Sequence, residues 1–213
     1  DTGFSPNVGG AVRSGAVQAD GKILLGGDFY YVAGIECNHL ARLNADGTAL
    51  VFGTFLGGDD PLHTENGQDL ATGVAVDGSG NAYVAGITAS PNFPTTPGAF
   101  DATCGTDGAC NVTGTGYAWS DCFSAKLSAD GTTLVYSTFL GGSYNDRCLS
   151  AAVGSASNAY VTGWTESNDL SRTVGPDLSF NGGLDAFVER GLRDWRVPGL
   201  ALAVVKDDSL VYA

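Results

Sequence analysis

The chain has 213 residues and a net charge of −13 at neutral pH, with 10 Lys and Arg against 23 Asp and Glu. So few basic residues exclude a nucleic-acid-binding surface, and the negative charge argues against binding to anionic membranes. No apolar run reaches the length of about 18 residues that a membrane span needs, so we expect no membrane insertion. The 43% hydrophobic content and 32 glycines indicate a folded domain of short strands and tight turns.

The first strand patterns lie within residues 1–58. Apolar, aromatic and β-branched runs predict strands over 15–19, 22–28, 39–44 and 48–56. Asp20-Gly21 and Asp46-Gly47 separate consecutive runs, and glycine tolerates the positive φ that hairpin turns require. The pattern predicts one unit of four antiparallel strands.

The same unit recurs within residues 68–142. Residues 43–58 read LNADGTALVFGTFLGG and residues 127–142 read LSADGTTLVYSTFLGG, with 12 of 16 positions identical. Here the predicted strands are 71–77, 81–88, 121–128 and 132–140.

A third unit begins at residue 148. SGNAYVAGIT over 79–88 returns as ASNAYVTGWT over 156–165, and the first two strands of this unit are predicted over 149–154 and 158–165.

Repetition of a four-stranded unit distinguishes a propeller from a sandwich. We therefore predict an all-β, β-propeller-like fold of about three four-stranded antiparallel blades within residues 1–183. Phe55-Leu56 and Phe139-Leu140 should occupy equivalent positions in adjacent blades.

The motifs DGSGNAYVAG (77–86), FPTTPGAFD (93–101) and YSTFLGG (136–142) make residues 68–188 resemble the bacterial β-propeller repeats known as SBBP repeats. VQADGKIL (17–24) and GGDF (26–29) make residues 1–58 resemble the delta-60 propeller repeats. Both resemblances imply an extracellular or cell-surface bacterial protein, and neither implies catalytic residues.

The tail, residues 184–213, departs from this repeat. Its apolar spacing predicts a short helix near 184–195, and a hairpin follows over 200–205 and 209–212. The tail resembles the opening of serine β-lactamases and penicillin-binding-like hydrolases, whose nucleophile lies in a Ser-x-x-Lys motif that this sequence lacks. It therefore either completes the third blade or opens a hydrolase-like segment.

The five cysteines favour an oxidising compartment. Cys104 and Cys110 flank a short, glycine-containing loop, and we predict a disulfide between them. The pairing of Cys37, Cys122 and Cys148 stays open, and the odd count leaves at least one thiol free or intermolecular.

One turn has the oxygen-ligand spacing of a calcium site. Asp77, Ser79 and Asn81 place oxygen atoms at alternate positions of a tight loop, which suits a hard cation. The alternative is a plain hairpin turn, and no other cofactor is predicted. His39 and His63, the two histidines, suggest neither a catalytic triad nor a metal site.

The long loop over 89–120 is rich in aromatic residues. Phe93, Phe100, Tyr117 and Trp119 either form an interaction surface or cover a neighbouring blade.

Together these features predict a non-catalytic extracellular structural or interaction module. Three blades leave two open faces, so the expected partners are copies of the chain, as a dimer or filament, or further blades of a larger protein. One alternative is a fragment of a secreted serine hydrolase of the β-lactamase class, and another is a glycan-binding propeller.

Overall fold

The computed structural model describes residues 6–58, 69–106, 108, 110, 120–170, 201–206 and 209–212. In these ranges every regular element is a β-strand, and the strands form three antiparallel sheets. The all-β prediction is therefore confirmed.

The first sheet has the strand order β1-β2-β4-β5, and a short β3 pairs with β2 outside this path. Its strands are β1 (Val8–Val17), β2 (Ile23–Val32), β3 (Ile35–Glu36), β4 (His39–Leu43) and β5 (Leu50–Phe55).

The second and third sheets each run in sequence order, β6-β7-β8-β9 and β10-β11-β12-β13. The strands of the second sheet are β6 (Leu70–Val76), β7 (Ala82–Thr88), β8 (Asp121–Leu127) and β9 (Leu134–Leu140). Those of the third sheet are β10 (Asp146–Val153), β11 (Ala159–Thr165), β12 (Ala201–Lys206) and β13 (Ser209–Tyr212).

The first strand differs most from its predicted bounds. β1 begins at Val8 rather than at residue 15, and its pairing with β2 shifts register between Gly9 and Gly10 and between Val12 and Ser14. These two irregularities interrupt the alternation of apolar and polar residues, and alternation is the pattern that identifies a strand in a sequence.

The predicted hairpin near the end of the chain is present as β12 and β13, with Lys206 paired to Ser209. The helix predicted near 184–195 lies outside the described residues.

The sequence repeat is also a repeat of strand register. Leu43 pairs with Leu50 in the first sheet, and Leu127 pairs with Leu134 in the second. From these pairs the register leads to His39 opposite Phe55 and to Phe123 opposite Phe139. Phe55 and Phe139 therefore occupy equivalent positions, as the sequence predicted.

The turn between the last two strands is built the same way in both sheets. Asp46 Oδ1 accepts a hydrogen bond from the Thr48 N–H at 2.9 Å, and Asp130 Oδ1 accepts one from the Thr132 N–H at 3.1 Å. The Ser128 hydroxyl and then Thr132 hold the pKa of Asp130 at about 2. Each aspartate thus fixes its turn as an Asx-turn.

The core lies between the sheets. β6 packs on β1 and β2 of the first sheet, and β10 packs on β6 and β7. Leu24 and Leu40 of the first sheet meet Ala71, Val74 and Phe123 of the second, and all five are buried. The sheets are therefore stacked face to face in sequence order.

Candidate functional site

One buried arginine joins the first sheet to the second. Arg42 lies on β4 with 1% of its surface exposed, and its guanidinium stacks on Phe52 at 4.8 Å from the ring centroid. It donates hydrogen bonds to the carbonyls of Ala129 and Gly80, the latter at 2.9 Å. Main-chain carbonyls thus take the place of a carboxylate partner and orient the two sheets.

The contact between the second and third sheets uses the equivalent carbonyl. Tyr83 on β7 donates its hydroxyl to the carbonyl of Ser157 at 3.0 Å. Ser157 holds the place in the β10–β11 turn that Gly80 holds in the β6–β7 turn, since their N–H groups bond to Gly154 and Asp77 in the same way. A polar side chain of one sheet therefore bonds the first turn of the next sheet at both contacts.

Two cysteine pairs lie at disulfide-bonding distance. Cys104 and Cys110 are bonded, with their Cα atoms 4.6 Å apart, as the sequence predicted. Cys122 on β8 is bonded to Cys148 on β10, with Cα atoms 5.1 Å apart, so this pair crosslinks the second and third sheets. Cys37 is free and buried, and burial raises the pKa of its thiol.

The loop considered for calcium is held by internal hydrogen bonds. Asp77 Oδ1 accepts from the N–H groups of Ser79 and Asn81, both at 2.9 Å, and Asp77 Oδ2 accepts from the Asn81 amide at 2.8 Å. Burial alone would raise the pKa of Asp77, but these hydrogen bonds hold it below its usual value. Residues 77–81 thus form a hairpin turn, and calcium binding at this turn stays a prediction.

The aromatic residues of the long loop differ in their surroundings. Phe93 is buried, with its ring centroid 4.3 Å from that of Phe123 and 6.0 Å from that of Phe139. Phe100 is partly buried and packs on the cluster that contains Cys122. Phe93 is therefore part of the core rather than of an interaction surface. Tyr117 and Trp119 lie outside the described residues.

A buried carboxylate closes the connection between successive sheets. Asp69 Oδ2 accepts hydrogen bonds from the Gly58 N–H at 2.7 Å and from the Ser90 hydroxyl at 3.1 Å. Asp146 Oδ2 accepts the equivalent two hydrogen bonds, from the Gly142 N–H at 2.7 Å and from the Ser167 hydroxyl at 2.8 Å. Burial raises the pKa of both aspartates. Because both aspartates accept the same two hydrogen bonds, this contact is a structural feature of the repeat.

The outer edge of the second sheet is covered by the chain itself. β9 is the last strand of that sheet, and its free edge meets residues 94–103. The Thr96 N–H donates to the Ser137 carbonyl at 3.1 Å, and the Phe139 N–H donates to the Asp101 carbonyl at 3.0 Å. The Asp101 N–H in turn donates to the Thr138 hydroxyl at 2.9 Å. Ser137, Thr138 and Phe139 are buried as a result.

Among the residues that the structure describes, no segment covers the equivalent edge of the first sheet. β5 has the same place as β9, yet Val51, Gly53 and Phe55 are all exposed, Phe55 at 64%. Their N–H and C=O groups have no partner along this edge among the described residues. The reason is loop length: only residues 33–38 join β2 to β4, whereas residues 89–120 join β7 to β8. The connection between β2 and β4 is therefore too short to cover β5 as residues 94–103 cover β9.

A cleft of about 390 Å³ lies at the end of this open edge. Gly57 and Gly58 line it together with Asn38, His39, Phe55, Asp69, Asn92 and Pro94. His39 donates a hydrogen bond through Nδ1 to the carbonyl of Gly27 at 3.2 Å. Open strand and cleft together form the candidate site, which we call the β5 edge.

The sequence did not predict this site, because Phe55 and its buried equivalent Phe139 lie in nearly identical sequences. The one available signal was the unequal spacing between second and third strands in the two units, which decides whether a cover exists. His63, the other histidine, lies outside the described residues.

Across the described ranges, no three His, Cys, Asp or Glu side chains form a group that could hold a metal ion. Nothing in those ranges forms a helix with the length and apolarity that a membrane crossing requires.

Comparison with family models identifies the class of repeat. Residues 18–49 match the family described as a domain of unknown function (DUF5122) beta-propeller, within the segment 1–58. Residues 56–94 match the family described as a beta-propeller repeat (SBBP), beginning before the predicted boundary at 68. The chain therefore carries β-propeller repeats of two kinds in tandem. No curated protein matches the chain, and the hydrolase resemblance of the tail is not confirmed.

Proposed function

We propose that the chain is a non-catalytic structural and interaction module of an extracellular or cell-surface bacterial protein, in which it joins further propeller repeats. The β-propeller matches support a module built to stack, since such repeats bury their apolar faces against neighbours. The inter-sheet cysteine pair supports an oxidising environment, where disulfides persist.

One observation carries the proposal: equivalent side chains are buried in the first two sheets and partly exposed in the third. Leu24, Tyr83 and Tyr160 hold the same register position, opposite Arg42, Lys126 and Val204 respectively. Leu24 is 0% exposed and Tyr83 is 1% exposed because the next sheet covers each of them. Tyr160 is only partly buried.

The rest of this face has the same character. Trp164, further along β11, is partly exposed and is stacked by Arg147 at 5.5 Å from its ring centroid. Leu149 on β10 is 56% exposed. In the first two sheets, the equivalent face packs against the next sheet. The partly exposed aromatic residues on this face of the third sheet could therefore pack against a further repeat. Tyr160 is placed to donate a hydrogen bond to a turn carbonyl of that repeat, as Tyr83 does to Ser157.

The occupant that we propose is a second copy of the chain. Analytical ultracentrifugation over a range of protein concentrations should give masses above the 21.7 kDa of one chain. Tyr160→Asp should lower the association constant at least about tenfold, because it would bury an unpaired charge in the contact. Tyr30→Ala is the matched control, since Tyr30 is 64% exposed on the first sheet.

A single-chain mass at every concentration, unchanged by Tyr160→Asp, would overturn the proposed self-association.

A further inference from the structure

We propose that the β5 edge binds a peptide segment through main-chain hydrogen bonds, and that the segment resembles residues 94–103 of this chain in chemistry. This inference rests on the proposed role as an interaction module. It concerns the first sheet, however, and is independent of the Tyr160 face on the third.

The outward main-chain groups of β5 have the same direction as those of β9. In antiparallel pairing, alternate residues of an edge strand point their N–H and C=O groups away from the sheet. In β9 these are Ser137 and Phe139, and both bond to the covering loop. Gly53 and Phe55 are their equivalents in β5 and have the same outward direction. An exposed row of unpaired main-chain groups is a template for another strand.

The two strands also share the threonine that lies between these outward residues. Thr138 uses its hydroxyl to accept from the Asp101 N–H at 2.9 Å and to donate to the Asp101 carbonyl at 3.2 Å. The equivalent residue in β5 is Thr54, within the shared sequence STFLGG or GTFLGG. The hydroxyl that receives the loop in the second sheet is thus also present in the first.

The ring of Phe55 gives β5 an exposed apolar surface. Phe139 is fully buried beneath the chain's own loop, whereas Phe55 is 64% exposed beside the open cleft. A segment lying along β5 would cover Phe55 and continue into the cleft, as residues 101–105 continue past Phe139 to the bond between the Gly105 N–H and Asp121 at 2.6 Å. The chain therefore displays, on its second sheet, the kind of ligand that its first sheet fits.

The loop also defines the ligand class. Residues 94–103 read PTTPGAFDAT. Pro97 and Gly98 form a β-turn, in which the Ala99 N–H donates to the Thr96 carbonyl at 3.0 Å and Gly98 has a φ of 81°. The Thr96 hydroxyl accepts from the Ser137 N–H at 3.0 Å, so threonine serves where the segment is not a regular strand. We expect segments to bind that contain threonine and a Pro-Gly turn, with an aspartate or other polar residue near the cleft.

The test uses a fluorescent synthetic peptide of the sequence PTTPGAFDAT and fluorescence anisotropy with the full chain. We expect saturable binding. Two peptides serve as controls: a scrambled sequence, and the same sequence N-methylated at its third residue, which removes the N–H equivalent to that of Thr96. Both should bind at least about tenfold more weakly, since the proposed contact depends on main-chain hydrogen bonds.

Protein variants locate the site. Phe55→Ala should weaken binding about five- to tenfold, the range expected for loss of an aromatic contact, and Thr54→Val should weaken it without changing the shape of the strand. Tyr30→Ala, which removes an equally exposed aromatic ring elsewhere on the same sheet, should leave binding unchanged. Hydrogen exchange should show slower exchange of the Gly53 and Phe55 amides when the peptide is bound.

No saturable binding, equal binding of the N-methylated peptide, or indifference to Phe55→Ala would each overturn the proposal. Binding of a neutral oligosaccharide such as cellohexaose in place of the peptide would also overturn it and would assign the cleft to a saccharide. None of these results would alter the mass measured for self-association, so failure here is distinguishable from failure of the proposed function.

Discussion

Alanine substitutions at Phe139 and Phe55 change the same side chain at the same register position in two different environments. Phe139 is fully buried beneath Phe93 and the covering loop, whereas Phe55 keeps 64% of its surface exposed. Complete burial of a phenylalanine contributes about 1.5–3 kcal/mol, and an alanine in its place adds a cavity, for a total loss of about 3–5 kcal/mol. Phe55 is about one third buried and leaves no enclosed cavity, so its loss should be about 1 kcal/mol or less.

Urea unfolding at neutral pH without reductant measures both losses against the unmodified chain. The midpoint for Phe139→Ala should fall well below that for Phe55→Ala, with similar dependence on urea concentration. Equal destabilisation by the two substitutions would refute the claim that residues 94–103 cover β9 while no described segment covers β5.

Further predictions concern the sheet contacts and the buried groups. Arg42→Lys should destabilise the chain by about 1–3 kcal/mol in urea unfolding, because lysine cannot bond two carbonyls and stack on a ring at once; an unchanged midpoint would contradict this. Burial raises the pKa of Asp69 and of Asp146 above the ordinary aspartate value of 3.8, so the folded state binds these protons more tightly than the unfolded state. Their contribution to stability is therefore full below pH 3.8 and is lost as the pH rises through the raised pKa. Asp69→Asn should remove part of this decline in a pH series of unfolding measurements, and an identical pH profile would speak against it. Cys37 should resist a maleimide probe in the native chain and react after unfolding, since it is buried and its pKa is raised; labelling of the native chain would contradict its burial.

The repeat in the sequence predicted most of the fold. In the second sheet every predicted strand agrees with the structure to within two residues at each end, because alternation and Asp-Gly turns are strong local signals. β1 was predicted too short because its bulges break that alternation. Pairing between distant cysteines, as for Cys122 and Cys148, depends on which sheets meet, and that is a property of the packing rather than of local sequence.

The candidate site was harder to predict because it depends on what is missing from one repeat. Phe55 and Phe139 lie in nearly identical sequences, and their difference in burial comes from a loop inserted in the second unit between β7 and β8. Phe93 was weighed as a surface residue because aromatic residues in a long loop suggest contacts. The loop instead folds back onto its own sheet, where hydrogen bonds such as that from Thr96 to Ser137 hold it.

The measurement that tests the central claim most directly is a disulfide map of the chain. Successive β-propeller repeats stack face to face, so that β8 of the second sheet lies against β10 of the third. Digestion without reductant, followed by mass spectrometry, should give one crosslinked product that contains Cys122 and Cys148 and another that contains Cys104 and Cys110. A bond from Cys122 or Cys148 to Cys37 would contradict the account, because Cys37 is buried in the first sheet and no stack in this order brings it to β10.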